Sequence, residues 1–287
     1  MATLRAIRRK ITSAKKIRQI TKAMYMVSAA KLRRAQQEAE STRPFAAALD
    51  DIISRMLLRM ENKDHPLLRE REEKHAELIL LTSDRGLCGA FNDNLVRSSQ
   101  LFMEENKGKL ESVSLYLVGK KAVDFYKKRP VKIDKASNNP QKELGFDKAR
   151  VIAEEIISKF LDGENDSVYL LYPMFHSPVL QKPTIVKLLP IQPKAKLQLV
   201  AVDYIYEPDQ QSLLNLLLPW LIRMQIFHAL LETRASELGA RMSAMDLATQ
   251  NSEDMISTLT LKMNRARQES ITKELLDIVT GSEALKK

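Results

Sequence analysis

The helix breakers of this 287-residue chain are confined to its middle, and that confinement limits the possible folds more than any other feature. All 11 prolines lie between Pro44 and Pro219, and the first glycine is Gly86. From Trp220 to Thr280 there is no proline and a single glycine, Gly239. Gly and Pro are the residues a helix interior tolerates least, so both ends of the chain are free to run as long helices.

Leu4 to about Met60 reads as one helix. Leu4, Ile7, Ile11 and Ala14 keep an apolar spacing of threes and fours. Ile17, Ile20, Met24 and Val27 repeat it from a start shifted by one residue, the kind of phase break that changes local coiling. Pro44 is expected to bend this helix or to begin another, with Thr42–Arg43 as the joint. At the other end, Leu238, Met242, Met245, Thr249, Ser252, Ile256, Leu259, Met263, Ala266 and Ser270 alternate steps of four and three. That is a sustained heptad seam, although its small and polar members make it a weak one. Helices of ~55–60 residues would each be some 80–90 Å long at 1.5 Å per residue. The two are expected to pack as an antiparallel coiled coil.

The middle has another rhythm. Short apolar runs at Glu77–Thr82, Val113–Val118 and Val168–Tyr172 alternate with helical patterns at Asp93–Glu105, Lys120–Lys128 and Phe146–Leu161. Thr184–Leu189 and Leu197–Tyr206 read as a further, antiparallel pair of strands. Strands alternating with helices predict a mainly parallel sheet. The expected fold class is thus α plus α/β: a long antiparallel coiled coil of N- and C-terminal helices plus a central Rossmann-like α/β domain. The boundaries fall at 1–65 for the N-terminal helix, 66–212 for the α/β domain and 213–287 for the C-terminal helix.

Charge narrows the choice of partner. The net charge is +10, yet residues 1–34 alone hold 11 Lys or Arg and no acid, which leaves 35 bases against 36 acids in the rest. The excess is a property of one helix. An Arg-rich, acid-free start mimics a mitochondrial transit peptide, but the amphipathic pattern runs past it unbroken, so it is assigned to the mature helix. A basic helix can be a solvated face, a nucleic-acid or membrane ligand, or the partner of an acidic protein surface. Tyr25 is the only aromatic residue before Phe45, so the stacking that single strands prefer is missing. A membrane helix would want Trp or Phe on its apolar face. The surplus of apolar residues on several faces, including Ile271, Leu275, Leu276, Ile278 and Val279, asks for a protein that covers the last turns. A basic coiled coil that binds nucleic acid stands as the alternative. No apolar run approaches the ~18–20 residues of a membrane span, since the run around Leu213–Ile222 is broken by Asn215 and Pro219.

Enzymatic signatures are weak. Gly86-Leu87-Cys88-Gly89-Ala90-Phe91-Asn92 follows a strand and opens a helix, where phosphate loops occur, but it lacks the GxGxxG spacing. A tight structural turn is the better reading. Val118-Gly119-Lys120 fails the Walker pattern, since Ser114 stands where its first glycine would be. Cys88 is the single cysteine, and His65, His75, His176 and His228 are scattered, so neither a thiol nucleophile nor a metal site is supported. No cofactor and no catalytic residue is expected.

Several long segments resemble one family. Ile7-Arg8-Arg9-Lys10-Ile11, Ile20-Thr21-Lys22-Ala23-Met24-Tyr25-Met26-Val27-Ser28-Ala29-Ala30-Lys31-Leu32 and Thr82 to Asn92 are similar to the γ subunits of F-type ATP synthases. So are Tyr204 to Asp209, Arg234 to Met242 and Ala266 to Gly281, in the same order along the chain. Ser282, where that family usually has alanine, is a small departure. The resemblance implies a non-catalytic central rotor, or shaft, of a proton- or sodium-translocating synthase. It implies that the coiled coil enters a hexamer of α and β subunits, and that the α/β domain meets the ε subunit and the c-ring. By matching positions it implies hexamer contacts at Met24, Arg241, Arg267, Gln268, Thr272 and Glu274, and rotor-foot contacts at Tyr204 and Glu207. It further implies indirect membrane association on the cytoplasmic side of a bacterial inner membrane, and no nucleic-acid partner. With no second cysteine, the thiol regulation of chloroplast relatives is not expected.

Overall fold

The computed structural model describes residues 4–59, 65–138, 145–192, 206–207 and 209–284. Helix α1 spans Leu4–Arg59 and helix α5 spans Gln210–Ala284, 56 and 75 residues respectively. Between them lie β1 (His75–Leu81), α2 (Phe91–Glu105), β2 (Ser112–Val118), α3 (Lys120–Tyr126), β3 (Ile133–Ser137), α4 (Phe146–Leu161), β4 (Ser167–Phe175) and β5 (Gln181–Leu189). The expected fold class is thereby observed, with corrections to its details.

Neither helix obeys its proline. Pro44 lies inside α1, so the expected joint at Thr42–Arg43 does not form. A mid-helix proline loses one hydrogen bond and crowds the preceding turn. Packing on either side outweighs that cost here: Leu32, Ala35 and Ala39 are buried before it, Leu49, Ile53, Met56 and Leu57 after it, and Phe45 meets Trp220 edge-on at 5.0 Å. Pro219 is likewise enclosed in α5, between the buried Leu214, Leu218, Leu221 and Ile222. The helix starts where Asp209 accepts from the Ser212 backbone N–H at 2.8 Å and from its hydroxyl at 2.7 Å, an N-terminal cap. Contrary to the reading of its sequence, α5 holds an 18-residue window apolar enough for a membrane span by length and composition; 44% of it is buried within the protein.

The chain divides into two compact units, residues 1–28 with 242–287, and residues 29–241. The second contains the sheet, in the order β3-β2-β1-β4-β5. β1, β2, β3 and β4 pair in parallel, and β5 is antiparallel to β4. The expected strand Leu197–Tyr206 lies almost wholly outside the described residues. β3 was not anticipated: Ile-Asp-Lys-Ala-Ser is too short and polar to stand out, and its three central residues are exposed at the sheet edge.

Both faces of the sheet are covered, so neighbouring strand residues enter opposite cores. Ile79, Leu81, Tyr116 and Leu170 pack with α4, with Ile53 and Met56 of α1, and with Leu214 to Leu230 of α5. Leu78, Leu80, Leu115, Leu117 and Leu171 pack with α2 and α3, and with Ala240 of α5.

In the other unit the two helices run antiparallel. The Thr21 and Thr249 hydroxyls share a hydrogen bond of 2.8 Å, and Arg18 meets Glu253 at 3.7 Å. The seam expected on α5 is observed at every position from Met245 to Ser270, each buried or half-buried. On α1 the expected phase break does not occur. Ile7, Ile11, Ala14, Thr21 and Ser28 are the buried positions, whereas Ile17, Ile20 and Val27 are 52–60% exposed. After Ala14 the buried positions recur every seven residues, at Thr21 and Ser28, in the same heptad phase and at small residues that apolar counting passes over. They let the two backbones approach closely.

Candidate functional site at the end of the coiled coil

The antiparallel register sets the level of each residue. Thr21 stands opposite Thr249 and Arg18 opposite Glu253, so the first described residue of α1, Leu4, falls near Ala266. The seam on α5 accordingly closes at Ser270. Every described side chain beyond it, Ile271 to Ser282, is exposed. Ile271, Leu275, Leu276, Ile278 and Val279 are 46–67% exposed within nine residues. Soluble surfaces scatter such residues singly, and a cluster of this size marks an interface.

Beside this apolar end lies a basic sleeve. Arg5, Arg8, Arg9, Lys10, Lys15, Lys16, Arg18 and Lys22 are all exposed. A groove of about 650 Å³ runs between the helices here, floored by Ala14, Ile17, Met255 and Leu259 and edged by Arg9, Lys10 and Lys262. The unit thus offers apolar and cationic surface together.

Of the residues anticipated as contacts, Arg267, Gln268, Thr272 and Glu274 are exposed on two successive turns of α5. The Thr272 hydroxyl donates to the Gln268 carbonyl at 2.9 Å, and Ser270 donates to Glu274 at 3.1 Å. Met24 is half-buried on α1, about 20 residues or roughly 30 Å along the axis from Arg267 by the register. The structure therefore brings four of these residues together and keeps Met24 apart. Arg241 is different: it is buried, its guanidinium 2.6 Å from the Glu237 carboxylate and donating to the Gly86 carbonyl at 3.3 Å. Glu207 is exposed, and Tyr204 lies outside the described residues.

The loop after β1 is closed on itself. Asn92 accepts from the Ser83 N–H at 3.1 Å and from its hydroxyl at 3.0 Å, and donates to the Cys88 sulfur at 3.2 Å. Leu87 and Gly89 take positive φ of 64° and 58° to complete the turn. Burial pushes the Cys88 thiol up, so it is a poor nucleophile. The N-terminus of α3 is also occupied: the Lys120 N–H donates to Asp84, the Ala122 N–H to the Thr82 hydroxyl and the Lys121 N–H to the Ser83 carbonyl. At the start of α3 the amides that would cradle a phosphate are thus spent inside the chain. A Cβ on Gly119 would stand 2.3 Å from the Thr82 carbonyl oxygen, which explains glycine there by close approach. Among the described residues, no three of His, Cys, Asp or Glu come together as a metal would need.

The described residues thus form a coiled coil with a bare apolar end and a doubly wound α/β body, the surfaces of a protein that others dock on. Comparison with known proteins makes this specific. The family pattern described as ATP synthase matches residues 3–285. ATP synthase gamma chains of Anaeromyxobacter sp. (strain K) and Geobacter sp. (strain M21) are 48% and 45% identical, each over 100% of both chains. A chain of the Euglena gracilis mitochondrial ATP synthase, OSCP/F1/c-ring, in rotational state 3, shares the fold with a TM-score of 0.65 at 22% identity, covering 98% of this chain and 94% of its own. The chain belongs to the ATP synthase gamma chain family. The nucleic-acid reading of the basic helix finds no support in these relatives.

Proposed function

We propose that the chain is the central rotor shaft of its synthase, coupling rotation in the membrane to ATP chemistry on other subunits. The full exposure of Ile271–Ser282 carries this reading, because an apolar helix end of this kind needs a protein sleeve. A hexamer of α and β subunits is the sleeve, and the ε subunit and c-ring meet the α/β body. Met24, Arg267, Gln268, Thr272 and Glu274 are hexamer contacts, and Tyr204 and Glu207 lie at the foot. The complex sits on the cytoplasmic side of a bacterial inner membrane, and this chain is attached to it only through its partners.

The mechanism follows from asymmetry. Two unlike helices inside a threefold ring present a different face to each catalytic subunit. A contact shifts a neighbour's equilibrium only by its differential energy between states, and turning the shaft moves that difference from one subunit to the next. The basic sleeve faces acidic loops of the ring, through contacts that are individually modest and partly screened by salt. The chain supplies no catalytic group in this reading, and the chemistry belongs to the subunits around it.

Affinity capture of the chain from its host, followed by native mass spectrometry, tests the reading. It predicts a nucleotide-binding hexamer bound to one copy, and no ATPase activity in the chain alone. Hydrolysis by the isolated chain, or capture without a hexamer, contradicts it.

A further inference from the structure

A doubly wound sheet binds its ligand where the strand order reverses, outside the carboxyl ends of the two strands concerned. Here that point lies between β1 and β4. β1 leads through Leu81 into the loop that holds Gly86, and β4 ends in Pro173, Met174 and Phe175. The place is taken by α5 itself. The Phe175 N–H donates to the Glu232 carboxylate at 2.9 Å, the Ser236 hydroxyl donates to the Pro173 carbonyl at 3.0 Å, and Arg241 donates to the Gly86 carbonyl. At Gly239 a Cβ would stand 3.0 Å from Phe175 and 3.1 Å from Pro178, so the helix touches the β4–β5 hairpin with no space for a larger residue. Glu232, Ser236 and Gly239 follow one another at steps of four and three and therefore share one face of α5.

These contacts differ in kind from those below them. From Leu214 to Leu230, α5 is held by apolar packing, which is not directional. From Glu232 to Arg241 the buried residues include Glu232, Thr233, Ser236, Glu237 and Arg241, and three of them bond to main-chain atoms of the body. A main-chain partner cannot change rotamer. A buried ion pair such as Arg241–Glu237 adds little net stability, and its attested use is to fix register.

We propose that the ligand crevice of this sheet has become a key, in which Glu232, Ser236, Gly239 and Arg241 fix the rotational setting of α5 in the α/β body. These are positioning residues: through them torque applied to the body is delivered to the helix without slip. The proposal rests on the rotor reading above, and it gives Arg241 an internal role in place of the hexamer contact expected by resemblance.

The test uses the assembled synthase in inverted membrane vesicles, carrying Arg241→Met with Ser236→Ala. Two quantities are read: coupling ions (protons or sodium) pumped per ATP hydrolysed, and the angular fluctuation of a bead fixed to the body while the hexamer is stalled. ATP hydrolysis is expected to persist, while pumping per ATP falls ~3-fold or more and the fluctuation broadens. Glu232→Gln with Ser236→Ala, which keeps Arg241, should produce both changes as well, and it carries the test where the first variant does not assemble. Unchanged pumping and fluctuation overturn the key. So does a loss confined to variants that lack Arg241, because Arg241 would then act directly on the hexamer. A wild-type chain that captures no hexamer would fail the rotor reading separately, before any variant is compared.

Discussion

Glu77 lies on β1 with its carboxylate wholly buried. Asn165 donates to one of its oxygens at 2.9 Å, and the Lys159 ammonium is 3.6 Å from the other while also pairing with Asp134. Burial raises its pKa and Lys159 only partly opposes that, so the group is pushed up to about 7. The folded body thus binds a proton that the unfolded chain, titrating near 4.5, releases. Stability from this group is complete below pH 4.5 and is lost as pH rises through 7, up to about 3 kcal/mol over the window. Glu77→Gln keeps the Asn165 hydrogen bond and removes the titration. In thermal melts of the purified chain from pH 5 to 8, the variant should gain on the wild type as pH rises to about 7 and then level off. A gap that stays constant with pH would refute the assignment.

The coiled coil is where sequence and structure part most instructively at the scale of an element. Ile11 is 8% exposed, whereas Ile17 and Ile20 are 52% and 60% exposed. Ile11→Ala should therefore cost about 2–3 kcal/mol of coiled-coil stability, and Ile17→Ala or Ile20→Ala less than about 0.5, by circular dichroism melts. The opposite ranking would restore the phase break read from apolar spacing. That spacing was legible on α5, where Met245, Ile256, Leu259 and Met263 advertise the seam. It misled on α1, where Thr21 and Ser28 carry the seam and the larger Ile17, Ile20 and Val27 face outward. The strands β1, β2 and β4 and the helices α2, α3 and α4 follow their periodicity, whereas the polar edge strand β3 does not. Both prolines inside long helices, and the buried Glu232, Ser236 and Arg241, could not be read locally, because only tertiary packing decides them. The exposed group Arg267 to Glu274 was found by resemblance, and no periodic signal marks it.

For the whole molecule, the charge of one helix acts on association. Replacing Arg8, Arg9, Lys15 and Lys16 by Glu reverses half of the exposed sleeve at the start of α1. Capture of the hexamer should weaken, and added salt should narrow the difference from wild type, since exposed charges are screened within about 10 Å at 0.1 M. Melting of the α/β body should not change. A loss of capture insensitive to salt would mean that these residues act through packing instead. The most direct test of the shaft reading is side-chain footprinting with a carbene or hydroxyl radical over Ile271–Val279, on the purified chain and on the assembled synthase. The residues should label strongly in the free chain, as their exposure requires, and be protected in the complex; equal labelling in both would mean that no sleeve encloses this end.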